Sequence, residues 1–316
     1  MKKMMPVCCL IFAFIGLQAF LREKKPTTKE ELGKLLFFDP LLSGDRTVSC
    51  ASCHKPGFAF ADTSKLSEGI NKKKGIRNTP SAMNLKLQPV FFWDGRAKTL
   101  EEQALAPIQN PDEMNLPIAT AIERLRKNRK YSTYFQKIFG ANPDSVNLGK
   151  AIAAYEQSLD TDSSAFDEWK LNDDSSAVSP DARKGFALFN GKAKCSRCHF
   201  GSNFTLNEFR NIGLFNSKEL NDSGRILITG KIEELGKFKI PGLRNVAITA
   251  PYMHNGIFKT LREVIDYYND PDKVVADPIN RDTLLNKPLL LKDEEKNQLE
   301  AFLISITDKR FKSMRK

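Results

Sequence analysis

The chain has 316 residues, which is enough for about two domains and a large buried core. Its content of 41% hydrophobic and 28% charged residues excludes a disordered, collagenous or multi-span membrane protein. The net charge of +11 is compatible with an acidic partner, an anionic surface or nucleic acid, and does not choose among them. The scarce residues, six cysteines and three histidines, carry more chemical information.

Residues 1–19 are predicted to be a secretory signal. A basic start is followed by an apolar run from Met4 to Leu17 and by a small residue, Ala19, where a signal peptidase could cut. This run is shorter than the roughly 20 residues that cross a bilayer, although an uncleaved anchor stays an alternative. Cys8 and Cys9 lie inside the run and would be removed with it. We therefore expect a soluble mature protein in the periplasm.

Helical patterns recur along the rest of the chain. Lys29 to Phe38 carries leucines at helical spacing, and an amphipathic pattern runs from Leu148 to Leu159. Ser179, followed by a proline and an aspartate, is typical of a helix start. An apolar stripe from Leu299 to Ile306 predicts a terminal helix. Strand signals are few and are confined to residues 226–229 and 238–240, so the predicted fold is all-α.

The four cysteines that follow the signal form two copies of one motif, CASCH at residues 50–54 and CSRCH at residues 195–199. CxxCH is the attachment pattern of c-type haem, in which two thiols bond to the vinyl groups and the adjacent histidine ligates the iron. Composition predicts about one chance copy in a thousand such chains, so two copies are not accidental. A redox CxxC or a zinc site is the alternative. Two covalent haem c groups are therefore expected on Cys50, Cys53, His54, Cys195, Cys198 and His199.

His254 is the only histidine outside these motifs, so both irons cannot have two histidine ligands. At least one iron takes Met, Tyr or Lys as its sixth ligand, or keeps that position open for a substrate. An electron carrier usually closes both positions. The shortage of ligands therefore favours catalysis at one haem.

A helix leads into each CxxCH motif, which indicates a weak internal repeat. We therefore expect two cytochrome c-like domains with one haem each. The predicted divisions are the signal at 1–19, an N-terminal haem domain at 20–160, a linker at 161–178 and a C-terminal haem domain at 179–316. The linker is rich in Asp and Ser, and its Phe166 and Trp169 are expected to pack back onto a domain.

The chain resembles the bacterial di-haem cytochrome c peroxidase family, which includes the MauG-type enzymes, over nearly the whole mature length. Besides the two CxxCH motifs, six segments carry the resemblance. They are RNTPS at 77–81, FWDGR at 92–96, LEEQA at 100–104, NPDEM at 110–114, LRNV at 243–246 and APYMHNG at 250–256.

The resemblance implies that the N-terminal haem binds peroxide and that Glu113 and Gln103 face the open side of its iron. A partly buried carboxylate can accept a proton from one peroxide oxygen and return it to the other. Trp93 matches the tryptophan between the haems and is a candidate electron relay, with core packing as the alternative. A calcium ion between the domains is also implied, bound by the carbonyl oxygens of Asn78, Thr249 and Pro251.

Two features differ from the classical peroxidases and match the MauG type. No histidine lies between His54 and His199, so the first haem is expected to stay open or water-bound, without a ligand that moves on reduction. Tyr268 stands where the classical enzymes place a methionine ligand to the second haem. A helix from Thr260 would put Tyr268 on its buried face and Tyr267 off that face. Ligation by Met253, or simple packing of Tyr268, is the alternative.

The leading hypothesis is a periplasmic peroxidase that reduces hydrogen peroxide to water with electrons from a small cytochrome c or a similar donor. One alternative is a MauG-like oxidase that modifies a protein side chain, and another is a di-haem cytochrome that only carries electrons. We expect no nucleic-acid partner and no stable membrane insertion once the signal is removed. A homodimer is an open option for the assembly.

Overall fold

A computed structural model describes residues 25–161 and 163–314 of the chain. The predicted signal at residues 1–19 lies outside these described residues. Within them, no helix combines the length and the apolar character that crossing a membrane requires.

Helices dominate the described chain. The N-terminal half contains α1 (Lys29–Phe38), α2 (Cys50–Cys53), α3 (Leu100–Gln109), α4 (Ile118–Lys127), α5 (Arg129–Phe139) and α6 (Ser145–Gln157). The C-terminal half contains α7 (Ala165–Leu171), α8 (Pro180–Asn190), α9 (Ile226–Thr229), α10 (Leu261–Asn269) and α11 (Asp293–Ser305). Two short strands, β1 (Phe209–Arg210) and β2 (Phe238–Lys239), pair antiparallel with Phe209 opposite Lys239. The helix-rich fold class is therefore confirmed.

The helix expected before each motif is present and capped as its sequence suggests. The side chain of Thr28 accepts a hydrogen bond from Glu31 N–H at the start of α1, and that of Ser179 accepts one from Ala182 N–H at the start of α8. The strand expected at residues 226–229 was wrong, because these residues form α9. Gly230 ends α9 in the left-handed conformation and donates its N–H to the Ile226 carbonyl, which closes a single helical turn.

The segment predicted as a linker contains α7 and packs on the C-terminal half. The ring of Phe166 lies 5.3 Å from that of Phe186 and 5.8 Å from that of Phe302, and Trp169 lies 5.6 Å from Phe186. Asp167 in the same helix forms an ion pair with Arg244 at 2.9 Å. Both aromatic residues therefore pack back onto the C-terminal half, as expected.

Two large hydrophobic cores form in the described chain, one in each half, and a smaller cluster of Phe91, Ala97, Leu100 and Ala153 lies beside the first. The first is built from α1 and from α3 to α6, and the second from α8, α10 and α11. Phe311, near the end of the chain, is 4% exposed and joins the first core. The C-terminal turn therefore crosses back onto the N-terminal half, and the domain boundaries stay a prediction.

Each core contains a helix pair that meets at a glycine. A Cβ atom on Gly33 of α1 would lie 1.8 Å from the carbonyl oxygen of Ala151 in α6. A Cβ atom on Gly185 of α8 would lie 1.9 Å from the carbonyl oxygen of Gln298 in α11. Only glycine permits such a close approach of two helix backbones. Because α1 and α8 each precede a CxxCH motif, the matching contacts support the predicted internal repeat.

Candidate active site

A cavity of about 490 Å³ lies beside the first CxxCH motif. Cys50 and Cys53, at the two ends of the single turn α2, line it together with His54. The turn is held by a hydrogen bond from Ser49 N–H to the Ser52 hydroxyl at 3.0 Å. All four cysteines of the described chain are free thiols, so both motifs are available for covalent attachment.

The histidines of the two motifs are held in the same way. Nδ1–H of His54 donates to the carbonyl oxygen of Phe60 at 2.9 Å, and Nδ1–H of His199 donates to that of Phe204 at 2.9 Å. This tautomer leaves the Nε2 lone pair of each ring for a metal. Burial lowers the pKa of His54 and lowers that of His199 to about 4, so both rings stay neutral at physiological pH. A neutral imidazole, two free thiols and an adjacent cavity fit a covalently bound haem.

Glu113 and Gln103 line the same cavity. Gln103 lies on α3, while Glu113 lies in the turn that follows α3 and accepts a hydrogen bond from the Asn110 side chain at 2.7 Å. Burial raises the pKa of the Glu113 carboxyl, against the opposing hydrogen bond from Asn110. The buried Oε1 of Gln103 has no hydrogen-bond partner among the described residues. The structure therefore brings both residues to the motif, with a carboxyl that can hold a proton and an amide oxygen left for a ligand.

Trp93 also lines the cavity and connects it to the C-terminal half. Its indole N–H donates to the Asn78 carbonyl at 2.8 Å, and its ring meets that of His254 edge-on at 6.5 Å between centroids. Its carbonyl oxygen accepts from Lys239 N–H at 2.7 Å. This placement suits both electron relay and packing, so both interpretations stay open.

His254 is 3% exposed and does not belong to the cavity lining. Its ring stacks on Phe238 with centroids 3.6 Å apart, and burial lowers its pKa to about 4. This position agrees with a core residue rather than an iron ligand. Among the methionines, Met114 lines the cavity but is 3% exposed and packed in the first core.

Tyr268 lies close to the second motif. Burial raises the pKa of its phenol, and the nearby thiols of Cys198 and Cys195 raise it further. The expectation that Tyr267 lies off the buried face was wrong, because Tyr267 is fully buried and its hydroxyl donates to the Ile212 carbonyl. The segment around Ile212 covers the side of α10 that a single amphipathic stripe would leave exposed.

Sequence reasoning assigned no role to several charged groups that line the cavity, among them Arg77, Glu156 and Lys239. Arg77 bonds to Asp222 in the other half, a pairing that no local pattern reveals. Glu156 is 5% exposed at the end of α6, its Oε2 has no partner among the described residues, and burial raises its pKa to about 8. A glutamate directly after the buried Tyr155, on the amphipathic helix α6, was the available signal.

Comparisons with known proteins agree with these features. Residues 27–176 match the model of the di-haem cytochrome c peroxidase family. The methylamine utilization protein MauG of Methylorubrum extorquens is 38% identical over 290 residues, covering 88% of this chain and 78% of that protein. Cytochrome c551 peroxidase of Nitrosomonas europaea is 37% identical over 239 residues, covering 75% of this chain and 71% of that protein. A solved MauG-like protein associated with microbial copper homeostasis superposes with a TM-score of 0.80 at 30% identity, over 91% of this chain and 92% of that one.

Proposed function

The chain belongs to the di-haem cytochrome c peroxidase family, and from this premise we propose that it reduces hydrogen peroxide to water in the cavity beside His54. It is an enzyme of the peroxidase class. The proposed electron donor is a small cytochrome c or a similar carrier. The proposed haem attachment residues are Cys50, Cys53 and His54 for the first haem, and Cys195, Cys198 and His199 for the second.

One observation carries this proposal: Glu113 and Gln103 line the same cavity as the first CxxCH motif. A pure electron carrier has no need of a protonatable carboxyl and an unpartnered amide oxygen beside its cofactor. A peroxide-reducing enzyme needs both, since peroxide must be oriented and its protons redistributed before the O–O bond breaks.

When bound, the haem supplies the redox centre that delivers electrons to peroxide. Glu113 accepts a proton from one peroxide oxygen and returns it to the other, which leaves as water. The raised pKa of the carboxyl suits this exchange, because the group can both take up and release a proton at moderate pH. The Oε1 of Gln103 accepts a hydrogen bond from peroxide and fixes its orientation. One peroxide, two electrons and two protons give two molecules of water.

Electrons would reach the cavity from the C-terminal half. Trp93 bridges the halves through its contact with the His254 ring, and it is the proposed relay. Tyr268 is the proposed sixth ligand of the second iron, supported by its closeness to Cys195 and Cys198. This arrangement separates electron entry near His199 from peroxide reduction near His54.

The test is steady-state turnover of the purified holoprotein with hydrogen peroxide and reduced cytochrome c, after mass spectrometry has confirmed two haems per chain. We expect cytochrome c oxidation that depends on peroxide, with two cytochromes oxidised per peroxide. Electron paramagnetic resonance of the ferric protein should show one iron with an open sixth position. Two fully closed irons in every redox state, together with no peroxide consumption, would favour the electron carrier and rule the proposal out.

A MauG-like oxidase that modifies a protein side chain is the second candidate, favoured by Tyr268 beside the second motif. Slow turnover with reduced cytochrome c, combined with oxidised states that persist for minutes, would favour this oxidase over the peroxidase.

We also propose a calcium ion between the halves, on the carbonyl oxygens of Asn78, Thr249 and Pro251. The Asn78 carbonyl already accepts the Trp93 indole N–H at 2.8 Å, but a carbonyl oxygen has a second lone pair that can bind a cation. Calcium here would hold Trp93 in place. The proposed location is the periplasm, and a homodimer stays an option.

A further inference from the structure

Lys239 is a partly buried cation without a carboxylate partner. Its ammonium group donates to the side-chain oxygen of Gln88 and, at 3.0 Å, to the carbonyl oxygen of Val90, and it lies 5.8 Å from the centre of the Phe91 ring. Both acceptors are neutral. Across residues 25–161 and 163–314, no carboxylate lies within ion-pair distance of this ammonium group. Burial alone lowers its pKa to about 8, with no neighbouring charge contributing.

The other cations of the cavity wall are compensated. Arg77 forms ion pairs with Asp94 at 2.5 Å and with Asp222 at 2.7 Å, and Arg96 pairs with Asp94 at 3.0 Å. Two guanidinium groups therefore share two carboxylates. Lys239 differs from both arginines, since an isolated buried charge is costly unless an anion is supplied. Because Lys239 lines the cavity, an anion bound in the cavity can compensate it.

The cavity wall is built from both halves of the chain. Cys50 and Cys53 lie on the turn α2 of the N-terminal half, whereas Lys239 lies on β2 of the C-terminal half. The ammonium group of Lys239 is held at Gln88, which also lines the cavity. The uncompensated cation therefore belongs to a different part of the wall from the attachment cysteines.

A c-type haem has a matching polarity. Its two vinyl groups, which the cysteines capture, lie on one edge of the macrocycle, and its two propionate carboxylates lie on the opposite edge. We propose that Lys239 forms an ion pair with a propionate of the first haem. The inference rests on the proposed placement of that haem beside His54. It adds a contact from the C-terminal half, because Lys239 belongs to β2 and reaches across to residues 88–93.

The contact would connect the first haem to the relay region. Lys239 N–H donates to the carbonyl oxygen of Trp93 at 2.7 Å, so one residue would hold both a propionate and the backbone of the proposed relay. A bound haem would then fix the position of β2 against the N-terminal half. Removing the positive charge would favour the ferric form of the first haem, because that form carries one more positive charge than the ferrous form.

The test compares Lys239→Met and Lys239→Arg with Lys231→Met as the matched control, since Lys231 is exposed and loses the same charge. Each holoprotein is checked for two haems by mass spectrometry. We then measure the reduction potential of the first haem by spectroelectrochemistry and its propionate bending band by resonance Raman spectroscopy. Lys239→Met should shift the potential to more negative values and move the Raman band. Lys239→Arg and Lys231→Met should resemble the unaltered protein.

An unchanged potential and Raman band in a Lys239→Met protein that holds both haems would overturn the inference, while peroxide reduction at the cavity would still stand. If the Lys239→Met protein does not retain the first haem, the haem content of the Lys239→Arg protein is the deciding measurement. Full haem content in the arginine variant supports the ion pair, and loss in both variants contradicts it. Absence of haem from Cys50 and Cys53 in the unaltered protein would instead contradict the proposed function.

Discussion

Arg77 donates two hydrogen bonds to the carboxylate of Asp222, from Nε at 2.7 Å and from Nη2 at 2.9 Å. The pair joins the N-terminal half to the C-terminal half, and Nη1 of Arg77 also donates to Asp94 at 2.5 Å. The Arg77 side chain is 11% exposed and that of Asp94 is 5% exposed, so both charges depend on each other rather than on water.

Replacing Arg77 with Met should destabilise the holoprotein by about 3–5 kcal/mol, because the partly buried carboxylate of Asp222 loses its partner and that of Asp94 keeps only Arg96. The free energy of unfolding from urea titration measures this loss. Lys127→Met is the control, since it breaks the exposed ion pair of Lys127 and Glu123 and should change stability little. Similar effects from both substitutions would show that the Arg77 network contributes no more than a surface pair.

Replacing Glu113 with Gln should lower the rate of peroxide reduction by about 100- to 10,000-fold, the usual contribution of a positioned acid-base group. Glu123→Gln, on the exposed face of α4, is the control and should keep the original rate. In the unaltered enzyme, the rate should increase with pH as Glu113 ionises, with an apparent pKa above the ordinary value of 4.5. An unchanged rate in Glu113→Gln would remove the acid-base assignment.

Tyr268 and its neighbour Tyr267 form a matched pair for testing the second haem. Tyr268→Phe should change the absorption and paramagnetic resonance spectra of the second iron and raise its reduction potential, because a phenolate stabilises oxidised iron. Tyr267→Phe should leave these spectra unchanged and cost about 1 kcal/mol of stability, since it loses the hydrogen bond to the Ile212 carbonyl. Identical spectra for the Tyr268→Phe and unaltered proteins would exclude Tyr268 as a ligand and leave Met253 as the rival.

Glu156→Gln should stabilise the holoprotein in a pH-dependent way. Burial raises the pKa of Glu156 to about 8, so ionising this carboxyl in the folded state opposes folding. The penalty is absent below about pH 4.5, increases as the pH rises and levels off above about pH 8. At about 1.4 kcal/mol for each unit of pKa, the gain is about 5 kcal/mol at most.

Melting temperatures of Glu156→Gln and the unaltered protein between pH 5 and pH 9 measure this gain. Glu233→Gln, at an exposed position, is the control and should show no widening difference. A constant difference between the two proteins across this range would mean that the pKa of Glu156 in the folded protein is not raised into it.

Much of the fold follows from local signals in the sequence. The helix Lys29–Phe38, the cap at Ser179 and the capping box of Thr260 with Glu263 depend on residues a few positions apart, and each formed as expected. The strand predicted at Ile226–Thr229 did not form, and the cause is again a local signal. Its β-branched residues favour a strand locally, but Gly230 ends the segment in a conformation that suits a helical turn.

The candidate site is only partly readable from the sequence. The two CxxCH motifs predict haem attachment because the thiols and the histidine are neighbours in the chain. Lys239 gives no such signal, since its contact with Gln88 joins residues 151 positions apart. The sequence alone does not distinguish a lysine on a cavity wall from a lysine in solvent, because the residues that surround each of them are known only once the chain has folded.

The two glycine crossings have a consequence for any redesign of this enzyme. An added methyl group at Gly33 would force α6 away from α1, and α6 carries Ile152 and Glu156 on the cavity wall. The shape of the cavity wall thus depends on a position that has no side chain and does not line the cavity. Gly185 imposes the same constraint in the other half. We therefore expect each half to tolerate mutation least at the glycine where two helix backbones are in contact.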